Sequence, residues 1–254
     1  MKKIVLYAFA AFAAAAVVSC ARRNAPTMEE DAGYYKDKMT EISADSTLTQ
    51  EKAEALEKAL CEEIYGRHPD DSLGAVVFRN LLTNFWEPEK GLEEYDKASE
   101  TIKSNESIAA KAQTIRKMPQ AAPGNRYIEV TAPNALTGEI ESISKYLGEK
   151  PLLLDFWASW CPPCRALIKG ELVPLSTEGK VDILGIAVWE KSLGNTMKAM
   201  SELGITWPVL YTGGRKDSPS IEYGVLGIPT IVLIGTDGKI LYRGYELGEA
   251  LSLI

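Results

Sequence analysis

The reading of the fold turns on "LLLDFWASWCPPCRAL", Leu152 to Leu167. An apolar run carries one acid, Asp155, and ends in Cys161 and Cys164, which are separated by Pro162 and Pro163. A continuous apolar run bounded in this way reads as a strand buried on both faces. The residues after it read as the start of a helix. Pro162 suits a first helical turn, where its missing N–H had no partner to lose. Cys161 then stands at the helix mouth, where the dipole and free N–H groups favour an anion. That placement lowers a thiol pKa and supplies thiolate near neutral pH. Cys164 lies one turn further in and can close a disulfide with Cys161. The two prolines keep the turn rigid and remove two N–H donors, so the depression at Cys161 is expected to be modest.

This spacing points to dithiol exchange. A thiolate at Cys161 attacks a disulfide, and Cys164 then attacks the mixed disulfide and releases the product. The cysteine pair itself carries the electrons, so no cofactor is expected. A structural zinc site needs four Cys or His ligands. Here there is one CxxC and one histidine, His68 in "GRHPD", which reads as an exposed loop residue. No metal is therefore expected. A peroxidase would want Thr or Ser three residues before the attacking cysteine, and Ala158 stands there.

The whole chain of 254 residues allows one large domain or two modest ones. Its net charge of -7 and the absence of a basic cluster in its body argue against a nucleic-acid partner. Four cysteines are too few for a disulfide scaffold at this length. Cys61 reads as a buried small hydrophobe.

The N-terminus, "MKKIVLYAFAAFAAAAVVSCARRNAP", places Lys2 and Lys3 before an uncharged run from Ile4 to Val18. Such a run is short for a membrane span and suits a signal peptide, residues 1–19. Val17-Val18-Ser19-Cys20 resembles the bacterial lipobox. That resemblance implies a diacylglyceryl group on Cys20, a membrane anchor, and a mature chain outside the cytoplasm, where disulfide chemistry is possible. Arg22 and Arg23 follow instead of acids, which favours the outer membrane, facing the periplasm.

Residues 20–46 are expected to form the lipidated cysteine and a tether. From Thr47 the pattern turns helical, with Ala53, Leu56, Leu60 and Ile64 in register, Thr47 and Gln50 fitting a capping box, and Gly66 a stop. Further helices are expected over 71–86, 88–105 and 106–118, making an all-α domain over 47–118. "MPQAAPGNR" interrupts, and a linker is placed at 119–126. Strands are then expected at 127–132, 151–159, 181–189 and after Thr206, with a helix over 192–204. A hairpin over 229–244 turns at Asp237-Gly238. The order gives a mixed sheet flanked by helices.

"DFWASWCPPC" and "YGVLGIPTIVLIGTDGKI" resemble the active-site turn and the cis-proline segment of the thioredoxin superfamily. With the lipobox, the chain is similar to extracytoplasmic TlpA/ResA-type thiol-disulfide oxidoreductases of Bacteroidetes lipoprotein type. The resemblance covers roughly residues 127–254 and implies a thioredoxin fold there. Asp155 matches the buried acid, which desolvation should raise in pKa. It would exchange a proton with Cys164 through water. Pro229 matches the cis-proline, placing the backbone of Ile228 beside the sulfurs to pair with an extended substrate. Trp160 matches the tryptophan flanking the substrate, and Trp157 reads as packing. Trp189 and Trp207 are assigned to core or rim. The pattern departs at Leu167, where many relatives carry a glutamate, and at Lys169, where they carry the helix proline. Gly170 and Pro174 are expected to interrupt the helix instead. The implied partners are protein disulfide substrates and an unidentified electron donor, in the membrane or the periplasm. The resemblance leaves open a disulfide oxidase or isomerase using the same pair, and a redox-inert binding lipoprotein.

Overall fold

The computed structural model describes residues 25–214 and 219–254. The expected signal peptide and the lipidation at Cys20 lie outside the described residues.

The first described element corrects the expected tether. Helix α1 spans Met28–Ala44, opened by a capping box in which Thr27 and Glu30 each hold the other's backbone N–H. Its Ala32, Tyr35, Met39 and Ile42 pack against a core of Leu60, Cys61, Ile64, Leu73, Val77 and Leu81. Helix α2 spans Gln50–Arg67 and is capped by Thr49, whereas Thr47 bonds to Asp45. Gly66 lies inside α2, which runs on to a C-cap at His68. His68 is not an exposed loop residue. Its ring is buried between Asp31 of α1, at 2.9 Å, and Asp71, at 2.7 Å. A histidine with a carboxylate at each ring nitrogen can be buried because both nitrogens are satisfied.

Helix α3, Ser72–Asn80, continues as a π-helical turn over Leu81–Phe85. The expected helix over 88–105 divides into α4, Pro88–Lys97, and α5, Glu100–Lys103, because Ser99 turns to cap the second piece. Helix α6 spans Glu106–Lys117 and is capped by Asn105. A second core of Phe78, Tyr95, Ile102, Ile108 and Ile115 fills this half.

The segment after α6 is not a free spacer. It forms a 3₁₀ turn, Met118–Ala121, and Ala121 is buried in the core of the sheet body. Of the strand expected over 127–132, only the end enters a ladder, as β1 (Thr131–Pro133), which pairs with β2 (Ile140–Ser142). Glu141 of β2 is buried against Asn134, Lys145 and Tyr146, and these hydrogen bonds hold its carboxyl down at about 2.

The main sheet has five strands: β3 (Leu152–Trp157), β4 (Asp182–Val188), β5 (Val209–Gly213), β6 (Thr230–Ile234) and β7 (Ile240–Gly244). Their order is β5-β4-β3-β6-β7. β3, β4 and β5 are parallel, β6 runs antiparallel to them, and β7, antiparallel to β6, returns in the direction of β3. This is a thioredoxin fold. β3 is buried along its whole length at the centre of the sheet, as its continuous apolar run predicts.

The helix after β3 is not interrupted by Gly170 or Pro174. α7 (Pro162–Leu167) passes through a π-helical turn (Ile168–Leu172) into α8 (Val173–Glu178). Pro174 cannot donate to the carbonyl four residues back, and the wide turn just before it absorbs the mismatch. α9 spans Leu193–Leu203, from its cap at Ser192 to Gly204. Short helices α10 (Pro219–Glu222) and α11 (Leu247–Leu251) complete the body. Among the described residues no helix is long and apolar enough to cross a membrane.

Candidate active site

Cys161 is the N-cap of α7, and its sulfur accepts the N–H of Cys164 at 3.2 Å. The two cysteines are joined by a disulfide, their Cα atoms 5.3 Å apart. Cys161 retains 3% exposure and Cys164 none. Of the two residues, Cys161 is the one that keeps any exposure.

Asp155 lies on the same face of β3 as Leu153 and Trp157, because alternate strand residues share a face. Leu153 and Trp157 pack in one cluster with Cys161, Cys164 and Ile168, whereas Leu152, Leu154 and Phe156 face the opposite core. Asp155 therefore points to the cysteine side of the sheet. It is fully buried, and neither carboxyl oxygen has a hydrogen-bond partner among the described residues. Burial alone pushes its pKa up to about 7. Such a group exchanges protons near neutrality.

Above the disulfide, the Ile228–Pro229 peptide bond is cis. The carbonyl oxygen of Ile228 lies 3.8 Å from the Cys161 sulfur. The Ile228 N–H meets no acceptor among the described residues. The indole of Trp160 is half exposed beside the pair and donates to the Trp189 carbonyl at 3.0 Å. Trp157 and Trp207 are buried in the core, as expected for packing residues. Trp189 is half buried, with φ at 55°, and donates to Ser220.

Two contributors were not singled out by sequence. Glu190 follows β4 and is buried, accepting the Ser159 N–H and, at 2.8 Å, the Ser159 hydroxyl. The Ser159 carbonyl is in turn held by Arg165. Glu190 thus fixes the turn that delivers Cys161. The only sequence signal was its place just past an apolar strand, at the end where parallel sheets build sites. The second is Lys111 of α6, which donates to the Leu226 carbonyl at 2.8 Å. It lines a groove of about 790 Å³ between α6 and the segment with Trp189, Ile221 and Leu226.

Of the site residues expected from sequence, Cys20 lies outside the described residues and the others fall into two groups. Cys161, Ile228 and Trp160 come together at one surface, with Pro229 next to Ile228 and Cys164 buried behind Cys161. Asp155 lies on the same side of the sheet beneath that surface. Cys61, read from sequence as a buried small hydrophobe, is buried in the helical half beside Tyr35 and Asn80. Among the described residues, no group of three or more His, Cys, Asp or Glu side chains could hold a metal ion.

A family profile described as Redoxin matches residues 120–250. The thiol-disulfide oxidoreductase ResA of Geobacillus thermodenitrificans is 34% identical over 116 residues, covering 43% of this chain and 64% of that protein. The thiol:disulfide interchange protein CycY of Rhizobium leguminosarum is 34% identical over 104 residues, covering 41% of this chain and 54% of that protein. The chain thus spans less than two thirds of the length of either. A solved thiol-disulfide oxidoreductase from Bacteroides fragilis superposes with a TM-score of 0.45 at 30% identity, covering 50% of this chain and 95% of that chain.

Proposed function

The chain belongs to the Redoxin family, and from that premise we propose that it is an extracytoplasmic thiol-disulfide oxidoreductase that reduces protein disulfides through Cys161 and Cys164. The observation that carries this reading is the closed pair itself, with Cys161 keeping 3% exposure beside the Ile228 carbonyl and Cys164 fully sealed.

In the reduced state, the Cys161 thiolate attacks one sulfur of the substrate disulfide. The other substrate sulfur leaves as a thiolate and takes up a proton. Asp155 accepts the proton of Cys164. The Cys164 thiolate then attacks Cys161, breaking the mixed disulfide and releasing the second substrate thiol. Two electrons have passed to the substrate, and the Cys161–Cys164 disulfide remains. A dithiol donor must reduce that disulfide before the next cycle. Trp160 flanks the substrate, and the free backbone groups of Ile228 pair with its extended chain. Lipid on Cys20 holds the enzyme at a membrane, the outer membrane favoured, with the body in the periplasm. The support for that anchor is the Val17-Val18-Ser19-Cys20 run.

Insulin reduction coupled to a dithiol, together with the potential of the pair against a glutathione buffer, tests the reading. A reductant is expected to sit near thioredoxin's value of about −270 mV. A potential near the strong oxidant DsbA's, about −120 mV, would reverse the proposed direction. Equal insulin reduction by wild type and Cys161→Ser would remove the enzyme reading altogether.

A further inference from the structure

The segment Tyr223–Pro229, which ends in the cis-proline, is sandwiched between the sheet body and the helical half. Val225 is buried in the sheet core, while the next residue, Leu226, packs into the core of the helical half. The backbone at Gly224, at φ 62°, lies so close to the end of α6 that a Cβ there would run into Met118. Lys117 of α6 pairs with Glu222 at 2.9 Å.

The carbonyls of this segment are held by side chains. Arg243 of β7 donates to those of Tyr223 and Gly224. Thr230 donates to that of Gly227. The Leu226 carbonyl is held from outside the sheet body, by the Lys111 ammonium at 2.8 Å. Lys111 is more than half buried and meets no carboxylate among the described residues, so its charge is directed at this one carbonyl. Two residues on, the Ile228 carbonyl faces the Cys161 sulfur.

We propose that Lys111 is a positioning residue for the exchange reaction: from the helical half it fixes the backbone that presents Ile228, and so sets how a polypeptide disulfide, as opposed to a small one, is docked against Cys161. This deepens the oxidoreductase reading and rests on it. A polypeptide must align with the backbone of Ile228 over several atoms, so a shift in that backbone weakens its binding. A small disulfide needs only the Cys161 sulfur. The helical half is thereby part of the substrate-docking apparatus.

The test compares wild type, Lys111→Met and Lys111→Arg in the full chain. Methionine keeps an unbranched apolar stem and removes the donor. Loss of one charge-assisted hydrogen bond is expected to raise KM for insulin about tenfold, with kcat and the rate on the small aromatic disulfide DTNB unchanged. Arginine, which can donate to the same carbonyl, should restore KM. Amide hydrogen exchange at Val225, whose N–H is held by the Ser220 carbonyl at 2.6 Å, should quicken in Lys111→Met and not in Lys111→Arg. Unchanged KM and unchanged exchange in Lys111→Met overturn the proposal, as does an equal loss on insulin and DTNB. A wild type that turns over neither substrate defeats the oxidoreductase reading itself, an outcome seen before any variant is measured.

Discussion

Asp155 and Cys164 face each other's side of the same sheet, the acid from the buried centre of β3 and the thiol from the first turn of α7, with no solvent exposure at either. A carboxyl in that position does different things to chemistry and to stability, and the two can be measured separately.

For chemistry, only the ionised form of Asp155 can accept the Cys164 proton. With its pKa pushed up to about 7, turnover should rise as pH passes through neutrality. Asp155→Asn should lose that inflection and be slower by on the order of 10²-fold, the lower end for a lost general base. A pH–rate profile of insulin reduction from pH 5 to 9 shows it. An unaltered profile in the variant would exclude Asp155 as the base.

For stability, the sign is the opposite. The folded-state pKa is raised from 3.8 to about 7, so the folded chain holds this proton where the unfolded chain releases it. Stability is complete below about pH 4 and declines until about pH 7, where the loss levels off. Three pH units correspond to about 4 kcal/mol. Asp155→Asn should therefore unfold at higher denaturant than wild type at pH 8, with the gain shrinking towards pH 4. Denaturant titrations at the two pH values check this.

Cys164→Ser should stall the reaction at the first step and leave substrates covalently attached to Cys161. Cys161→Ser should trap nothing. Cys61→Ala should not alter the adducts, because Cys61 is buried in the helical half. Non-reducing gels followed by mass spectrometry read all three. Adducts persisting in Cys161→Ser would assign the attack to another thiol.

Glu190→Ala leaves the Ser159 N–H and hydroxyl without their acceptor. Ser159 is only partly buried, so the loss is expected at the lower end of the roughly 1–3 kcal/mol of a group deprived of its partner, and the turn before Cys161 loosens. Glu190→Gln keeps one acceptor oxygen and should cost less. Unfolding midpoints rank the three proteins. Iodoacetamide kinetics on the reduced forms should show altered Cys161 reactivity in Glu190→Ala.

His68 joins α1 to the start of α3. Its hydrogen bond to Asp31 raises its pKa above the usual histidine value, against the opposing effect of burial, and Asp71 adds to the rise. Burial alone would raise the Asp71 carboxyl, but the Gly74 N–H and His68 hold it below the ordinary range. The histidine's contribution is complete below its unfolded value of about 6.5 and is lost as pH rises through the folded value. The Asp71 contribution is present above about pH 4 and is lost as pH falls through its lowered value. His68→Gln should therefore destabilise most at pH 5–6 and less at pH 8. Limited proteolysis between Met28 and Ala44 should accelerate in the same window.

The local features were legible in sequence. The buried run of β3, the CxxC helix start, the Asp237-Gly238 turn and the Ser192-to-Gly204 helix each declare themselves within about a dozen residues. α1 was missed because its apolar stripe, Ala32, Tyr35, Met39 and Ile42, is thin and set among charges. Thr27 and Glu30, at capping-box spacing, were the available signal. The remaining misses are pairings between distant positions. His68 meets Asp31 across 37 residues, Glu190 meets Ser159 across 31, and Lys111 meets Leu226 across 115. Periodicity carries no trace of such partners. Pro174 misled because a proline is tolerated where the preceding turn widens, and that widening has no compositional mark.

The helix over Met28–Ala44 also bears on reach. Docked on the helical half, it takes up most of the slack between the proposed acylated cysteine and the folded mass. From Cys20 to Thr27 the chain advances seven residues, at most about 25 Å when pulled straight. With a lipid on Cys20, the folded mass would ride close to the bilayer like a boat on a short mooring.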